Sequence, residues 1–597
     1  MVIAACTVTA APSAFAGGPL ITQNREPTLW ARGLIRGGPL GSATVDASGR
    51  VLYRVDSGTL GTLTDAQATA FVDGLFKPYT DIPTADIAFV DAGRIRDPAT
   101  RQPVDVNGSN FGKFLGLTPT FQNPIIFDSN GAITREMGLD PLLTLGFAGP
   151  NVIHPASNTV RDGLAVLNGA ALTGPGAFSL RAFLGAFAHE FGHFAGPLDH
   201  SQINAHFADT FFSNAVPPPG FTRAQAYDLF APFGETMYPF EFFAPVGSQL
   251  AAQFPFAGDF ITTLDMDTQN ALSALYPTPG FVKNFGSIEG RVVIRTQTGD
   301  IPVSGINVVA RRIDQGVYPP LVGTQAFTSP PMLDADGAPE PPQPQAATDP
   351  LATASSGVSG LILGEGRYRI QGVPQGEYLL EVQQSVASIG PLEKPFPLPV
   401  EEFYSGPRES GDLSDQPSDF EGIRVAAGQP TTGIDIALNG FSDVGVAPVT
   451  ELELNHIKPQ PITIPSDIMG AAVATGPSLL EINFGVGLKD KIEDLYRFTL
   501  SEPTRVYITL EPILGRGGFF GAGDLDLYLF TSAVNKRMSS LGDPNLLDTS
   551  FSGRVEMVGP AFILQPGTYL IGVSAFEGSA SYHLHVFSEQ AGLVASE

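Results

Sequence analysis

The segment from Ser179 to Phe194 constrains this chain more than any other. It is a long helical run in a sequence otherwise punctuated by Gly and Pro. It carries His189 and His193, four residues apart, with Glu190 between them. On a helix, positions i and i+4 lie one turn apart on one face. Two imidazoles placed so can hold one divalent ion, with the intervening carboxylate beside it. At about 100° per residue, Leu180, Phe183, Leu184, Phe187, Phe191 and Phe194 form one apolar stripe. The His pair lies opposite, among the small residues Ala182, Gly185 and Ala186. The spacing therefore predicts a helix that buries its Phe/Leu face and offers its histidines to an uncrowded surface. Gly196-Pro197 then ends it. Chance matches to this pattern are common in long sequences, but here a third ligand candidate, His200 or the adjacent Asp199, follows at once.

Composition excludes several classes. Lys plus Arg is 33 against 60 for Asp plus Glu, a formal charge of −27. With no local basic patch, such a chain has no electrostatic footprint for nucleic acid or an anionic membrane surface. No apolar run after the N-terminus is long enough to span a bilayer as a helix. A hydrophobic content of 43% with 42 Phe supports sizeable cores and argues against disorder. The single Cys, Cys6, excludes a disulfide framework and a thiolate zinc cluster.

The first 16 residues end in Ala14-Phe15-Ala16, a cleavage pattern that reads as a secretory signal peptide. A basic start is missing, and Ile3-Ala4-Ala5-Cys6 offers a lipid-anchored alternative through Cys6. Residues 17–44 read as an N-terminal segment, either a short propeptide or part of the first sheet. Residues 45–280 mix strand and helix periods: strands at 51–55, 85–90 and 124–128, and helices at 64–76, 179–194 and 264–276. Thr64 is the expected N-cap of the first helix. Residues 286–440 read as an all-β sandwich, interrupted at about 315–360 by a Pro/Ala-rich stretch. Residues 441–474 read as a linker, and 475–590 as a second all-β sandwich in which Leu525, Leu527 and Leu529 share the inward face. His583 and His585 share one face of the last strand, which by itself is a weak metal signal.

The string from His189 to Ser201 resembles the zinc-binding motif of the metzincin metallopeptidases, most closely the matrixin branch. Glu235-Thr236-Met237-Tyr238-Pro239 resembles the Met-turn that floors the metal in that family. The resemblance spans roughly residues 45–280. It implies an α+β catalytic domain, a mixed sheet plus the active-site helix. It implies zinc held by His189, His193 and His200, with Asp199 as the alternative because Pro197 puts His200 one residue late. It implies Glu190 as general base, taking a proton from zinc-activated water and passing it to the leaving amine. Met237 is structural in this scheme. Matrixin-like folds often hold structural calcium, for which Asp128 is a candidate, although an Asx-turn at Asp128-Ser129-Asn130-Gly131 is the simpler reading.

Residues 286–440 resemble the carboxypeptidase regulatory-like domain, through Ser287-Ile288-Glu289-Gly290-Arg291-Val292 and the string from Tyr368 to Tyr378. About 485–588 resembles the bacterial pre-peptidase C-terminal domain, through Asp494-Leu495-Tyr496-Arg497-Phe498, the strand from Asp524 to Phe530 and Pro566-Gly567-Thr568-Tyr569. Asp524 and Asp526 are calcium candidates there, against a simpler role on a solvated strand face. Together these resemblances imply a secreted, multidomain bacterial zinc endopeptidase acting on extracellular proteins or peptides. The C-terminal domains would bind extracellular matrix or a cell surface. The alternative is an extracellular adhesion or binding protein with an inactive peptidase-like domain, against which the intact Glu190 argues.

Overall fold

In the computed structural model, three units follow one another, and the long helices among the described residues lie in the first. The structure describes residues 26–114, 120–198, 264–313, 354–383, 402–473 and 490–589 with short interruptions, together with 22–23, 203 and 236–237. The expected signal peptide with Cys6 lies outside the described residues, as do His200, Asp199 and residues 314–353 of the Pro/Ala-rich stretch.

The first unit is an eight-stranded mixed sheet with helices packed on it. Its strands are β1 (Leu29–Trp30), β2 (Ile35–Gly37), β3 (Ser42–Val45), β4 (Val51–Val55), β5 (Phe89–Arg94), β6 (Pro124–Asp128), β7 (Gly146–His154) and β8 (Thr159–Asn168). The order is β1-β8-β6-β4-β3-β2, with β5 also on β4 and β7 on β8. Strands β1, β6 and β8 run parallel, whereas β7 is antiparallel to β8. Because β1, β2 and β3 belong to this sheet, the boundary expected at residue 45 cuts through it. The stretch from Leu29 supplies three strands to this sheet. The strand expected at 85–90 is shifted to Phe89–Arg94, since Ala85 instead bridges to Pro277 beside the last helix of the unit.

Helix α1 (Asp65–Thr80) begins with the expected cap: Thr64 accepts from the Gln67 N–H, and Gln67 Oε1 accepts from the Thr64 N–H at 3.0 Å. Helix α2 (Leu180–Ala195) carries the His pair, and α3 (Met266–Leu275) closes the unit. The helices meet around Phe76 of α1, whose ring lies 4.2 Å from Tyr53, 4.5 Å from Phe191 and 5.3 Å from Phe194 between centroids. Phe183, Phe187, Phe191 and Phe194 are all fully buried, so the expected stripe is the packed face of α2. Each such Phe contributes about 1.5–3 kcal/mol of burial, which holds α2 rigidly against the sheet.

The middle unit packs two five-stranded sheets. One is built on β9 (Gly286–Thr296) and β12 (Arg367–Val373), the other on β10 (Asn307–Arg312), β11 (Ala354–Val358) and β13 (Gly376–Gln383). Residues 354–358, expected inside the Pro/Ala-rich stretch, are therefore a strand paired with β10.

The third unit is also two sheets face to face. Residues 441–474, expected as a linker, instead supply β14 (Ala447–Thr450) and β15 (Ser466–Val473) to it. The remaining main strands are β16 (Asp494–Leu500), β17 (Thr504–Arg516), β18 (Asp524–Thr531), β19 (Gly567–Glu577) and β20 (Ser579–Ser588). β15 lies on one side of β20 and β17 on the other. Leu525, Leu527 and Leu529 enter the core as expected. The opposite face of β18 is not solvated, however. Tyr528 and Phe530 join Leu495 and Leu570 in a second apolar cluster, and Asp526 is buried beside it.

Candidate metal centre

Helix α2 brings His189 and His193 to one spot, with ring centroids 4.8 Å apart and Nε2 atoms 3.1 Å apart. Each Nδ1 faces a backbone carbonyl: His189 towards Thr236 O at 3.0 Å, His193 towards Leu198 O at 2.7 Å. A carbonyl only accepts, so each Nδ1 carries the proton and each Nε2 presents a lone pair. The two lone pairs then face one another, an arrangement that one divalent ion would bridge. Burial, reinforced by the neighbouring imidazole, holds His189 well below its usual range, and burial pushes His193 down to about 4. Both rings are neutral at pH 7, the form that ligates a metal. Tetrahedral zinc keeps two nitrogen ligands about 3.3 Å apart, close to the separation seen. The donor set fits the ion.

The expected open surface around the pair is absent: His189 and His193 are both buried. What covers them is a turn that the wheel could not foresee. Met237 is fully buried within the core of the first unit and lies against Gly192, between the two histidines on α2. A Cβ at Gly192 would stand 2.1 Å from Met237 Sδ. The neighbouring Thr236 supplies the carbonyl for His189. Its own N–H donates to Asp265 Oδ2 at 2.7 Å, and its Oγ1 accepts from the Asp265 N–H at 3.2 Å. Asp265 in turn caps α3 by accepting from Thr268 N–H and Oγ1 at 2.7 and 2.6 Å. Asp265 is thus a positioning residue that sequence reading missed. The helix expected at 264–276 placed Asp265 inside it, whereas it caps a helix that starts at Met266, and its partner Thr236 lies 29 residues upstream.

The end of α2 is tied as firmly. Leu198 N–H donates to Gly192 O at 3.3 Å, which turns the Leu198 carbonyl back to His193. The indole of Trp30 donates to Phe194 O at 2.9 Å, and Tyr79 donates to Ala188 O at 2.6 Å. The Trp30 bond satisfies a carbonyl of the last turn, which has no intrahelical partner, and the Tyr79 bond ties the middle of the helix to α1.

Glu190 points from α2 towards the sheet edge. Its Oε2 accepts from the Ala148 N–H at 2.9 Å. Ala148 sits on β7, which among the described residues pairs only with β8. That N–H is therefore on the outer edge of β7, and Glu190 lies between the strand edge and the histidines. Burial raises the Glu190 carboxyl to about 8, with the Ala148 N–H opposing the shift.

The calcium candidates are placed differently. Asp128 is buried and accepts from the N–H groups of Ile133 and Thr134 at 3.1 and 2.8 Å and from Thr134 Oγ1 at 2.8 Å. Its oxygens reach five and six residues ahead, past the expected Asx-turn; the two-residue bond in this segment is made by Asn130, whose Oδ1 accepts from the Ala132 N–H at 3.1 Å. Asp526 is buried near Tyr528, and the Asp524 side chain lies outside the described residues. Neither Asp128 nor Asp526 belongs to a group of three or more ligand-type side chains among the described residues. Glu235 also lies outside the described residues.

A scan against models of known protein families finds no match, and no curated protein matches. Among solved structures, the chain is similar to the pre-peptidase C-terminal domain of a collagenase from Bacillus anthracis, at 17% identity over 23% of this chain and 97% of that one, with a TM-score of 0.15. It is similar to a putative carbohydrate-binding protein from Bacteroides uniformis, at 10% identity over 51% of this chain and 98% of that one, TM-score 0.15. A third similarity is to a putative carbohydrate-binding protein from Pseudomonas aeruginosa, at 13% identity over 26% and 89%, TM-score 0.12. At such scores these likenesses carry no argument, and the weight rests on the chain's own residues.

Proposed function

We propose that the chain is a zinc-dependent endopeptidase whose centre is built on His189, His193 and Glu190. The observation that carries this reading is the convergence of two neutral imidazole Nε2 atoms at 3.1 Å, both rings oriented by backbone carbonyls, with a raised carboxyl one residue away. His200, or Asp199, would complete the ligand set; both lie outside the described residues.

Bound zinc would polarise a scissile carbonyl and activate water near neutral pH. The rest falls to the chain. Thr236 and Leu198 fix the tautomer and orientation of the ligating rings through their carbonyls. Met237 supplies a dry floor and takes no proton. Glu190, with a carboxyl able to ionise near neutrality, accepts a proton from the attacking water and returns it to the leaving amine. The outer edge of β7 offers backbone groups to an extended peptide, which adds to the sheet as a further strand and so lies along Glu190. An edge strand recognises main chain, which suits a protein or peptide substrate. The resemblances of the two sandwiches support a secreted setting and binding of extracellular partners. Among the described residues, no helix is long and apolar enough to cross a membrane.

The test is bound zinc and casein or gelatin cleavage in the wild type and in Glu190→Gln. Zinc retained with cleavage lost in the variant supports the reading. Zinc-loaded wild type that cleaves no protein substrate favours the binding-protein alternative, and cleavage surviving Glu190→Gln removes the assigned role. Zinc loss in His200→Ala but not Asp199→Ala would identify the third ligand.

A further inference from the structure

The third unit carries a second group of ligand-type side chains, far from the His189 pair in sequence. Strand β20 alternates strictly: Tyr582, Leu584 and Val586 enter the core, each 0% exposed. His583, His585 and Phe587 therefore face the other way. The register places Asp467 of β15 and Thr509 of β17 on either side of His585, and Met469 and Glu511 on either side of His583. One step along, Phe587 stacks on Tyr507 at 5.4 Å and packs with Phe441 in the core of the middle unit. Glu511 accepts from the backbone N–H of Glu365, also in the middle unit, at 3.0 and 3.3 Å. This face of β20 is therefore the seam between the two sandwiches, and His585 is only 2% exposed within it.

Asp467 Oδ1 lies 3.3 Å from His585 Nδ1 and 3.9 Å from His583 Nδ1. One ligand atom from each of the three residues lies within 4.8 Å of the others. His585 Nδ1 and Asp467 Oδ1 meet only each other, in a long contact of 3.3 Å, and His585 Nε2 has no hydrogen-bond partner among the described residues. Buried polar atoms are ordinarily partnered, and an imidazole with one nitrogen unsatisfied and the other in a long contact is costly to bury. One bound ion would answer for a nitrogen of His585 and the Asp467 oxygen together. Nitrogen and oxygen ligands of tetrahedral zinc stand about 3.3 Å apart, as Asp467 and His585 do. His583, partly exposed, needs only a small side-chain rotation to join them.

We propose that Asp467, His583 and His585 bind a zinc-class divalent ion at the seam between the two β-sandwiches, clamping β15 to β20. Two imidazoles with one carboxylate select zinc and its neighbours over calcium, which takes oxygen ligands. The site is independent of the His189 centre, so either can fail without the other.

The experiment uses the full chain with His189 and His193 both changed to Ala, equilibrated with Zn²⁺ at micromolar concentration and then assayed for bound metal. One zinc equivalent is expected to remain, undisplaced by excess Ca²⁺. Adding Asp467→Asn or His583→Ala, both at partly exposed positions, is expected to remove that equivalent while the far-ultraviolet circular dichroism is kept. In the otherwise wild-type chain the same substitutions should lower bound zinc by one equivalent and leave peptide hydrolysis unchanged. The proposal is overturned if the double variant binds no zinc, which would leave Asp467 and His585 as an ion pair only. It is equally overturned if zinc persists after Asp467→Asn together with His583→Ala, or if calcium displaces it.

Discussion

Replacing Gly192 by Ala tests the architecture beneath the proposed metal centre. The new Cβ would stand 2.1 Å from Met237 Sδ, 2.9 Å from its Cε and 3.1 Å from Tyr79 Oη. Met237 is flexible but fully buried, so it can move only by displacing its turn. Overpacking of this kind costs about 1–3 kcal/mol. Against that, Gly to Ala inside a helix gains about 1 kcal/mol. The net destabilisation is then about 0–2 kcal/mol, small enough for the variant to fold. The larger effect is on the ion. Moving Met237 moves Thr236, whose carbonyl holds His189 Nδ1 at 3.0 Å. Loss of such outer support typically weakens metal binding about 10–100-fold. The chain has one Trp, and Trp30 is buried against α2 through its bond to Phe194 O, so its fluorescence reports unfolding of this unit alone. Urea unfolding followed at Trp30, together with competition for zinc against a chelator, measures both quantities. Gly192→Ala with Met237→Ala should recover part of the lost stability, because the inserted methyl fills space the shorter side chain vacates. If Gly192→Ala is about 1 kcal/mol more stable, as helix propensity alone would have it, and its zinc affinity is unchanged, the reasoning is refuted.

Two further outcomes follow from the same geometry. Asp265→Ala removes the cap of α3 and leaves the Thr236 N–H unpartnered, so Trp30-monitored stability should fall by about 2–4 kcal/mol and zinc affinity by about tenfold or more; a change under about 0.5 kcal/mol would contradict the assigned link. The pH dependence of the zinc-free protein has a definite sign. Burial raises Asp56 and Asp162 to about 7 and Glu190 to about 8. Their contribution is complete below the ordinary carboxylate range and is lost as pH rises through those folded values. The lowered histidines work oppositely, since their contribution is complete above the usual imidazole value near 6.5 and lost on acidification. Above about pH 7.5 the unfolded imidazoles are neutral as well and the carboxyls dominate, so the urea midpoint at Trp30 should decline from there to pH 8.5; a flat or rising midpoint contradicts the burial argument.

Much of the first unit was legible locally. Thr64 with Gln67, the PIIFD strand and the Phe stripe of α2 each rest on neighbours within a few residues, and each appears where periodicity placed it. The strands β7 and β8 were not visible. Asp162 and Gly163 break the alternation of β8, and both are explained only by long-range partners: Asp162 accepts from the Asn123 N–H at 2.9 Å, and Gly163 donates to Asn123 Oδ1 at 2.8 Å. Likewise β15 was absorbed into an expected linker, because its pairing partner β20 lies over a hundred residues downstream.

By itself, the sequence determined which residues could chelate, since helical spacing alone puts His189 and His193 on one face and Glu190 beside them. It determined the inward face of β18 for the same reason: a period of two needs no partner to be read. The resemblance already expected Met237 beneath the pair; only the tertiary structure decided that the Thr236 carbonyl orients His189, that Asp265 anchors that turn, and that Asp467 meets His583 and His585. Those contacts join segments distant in the chain. Their energies come from burial and from carbonyl and carboxylate partners that no local pattern encodes.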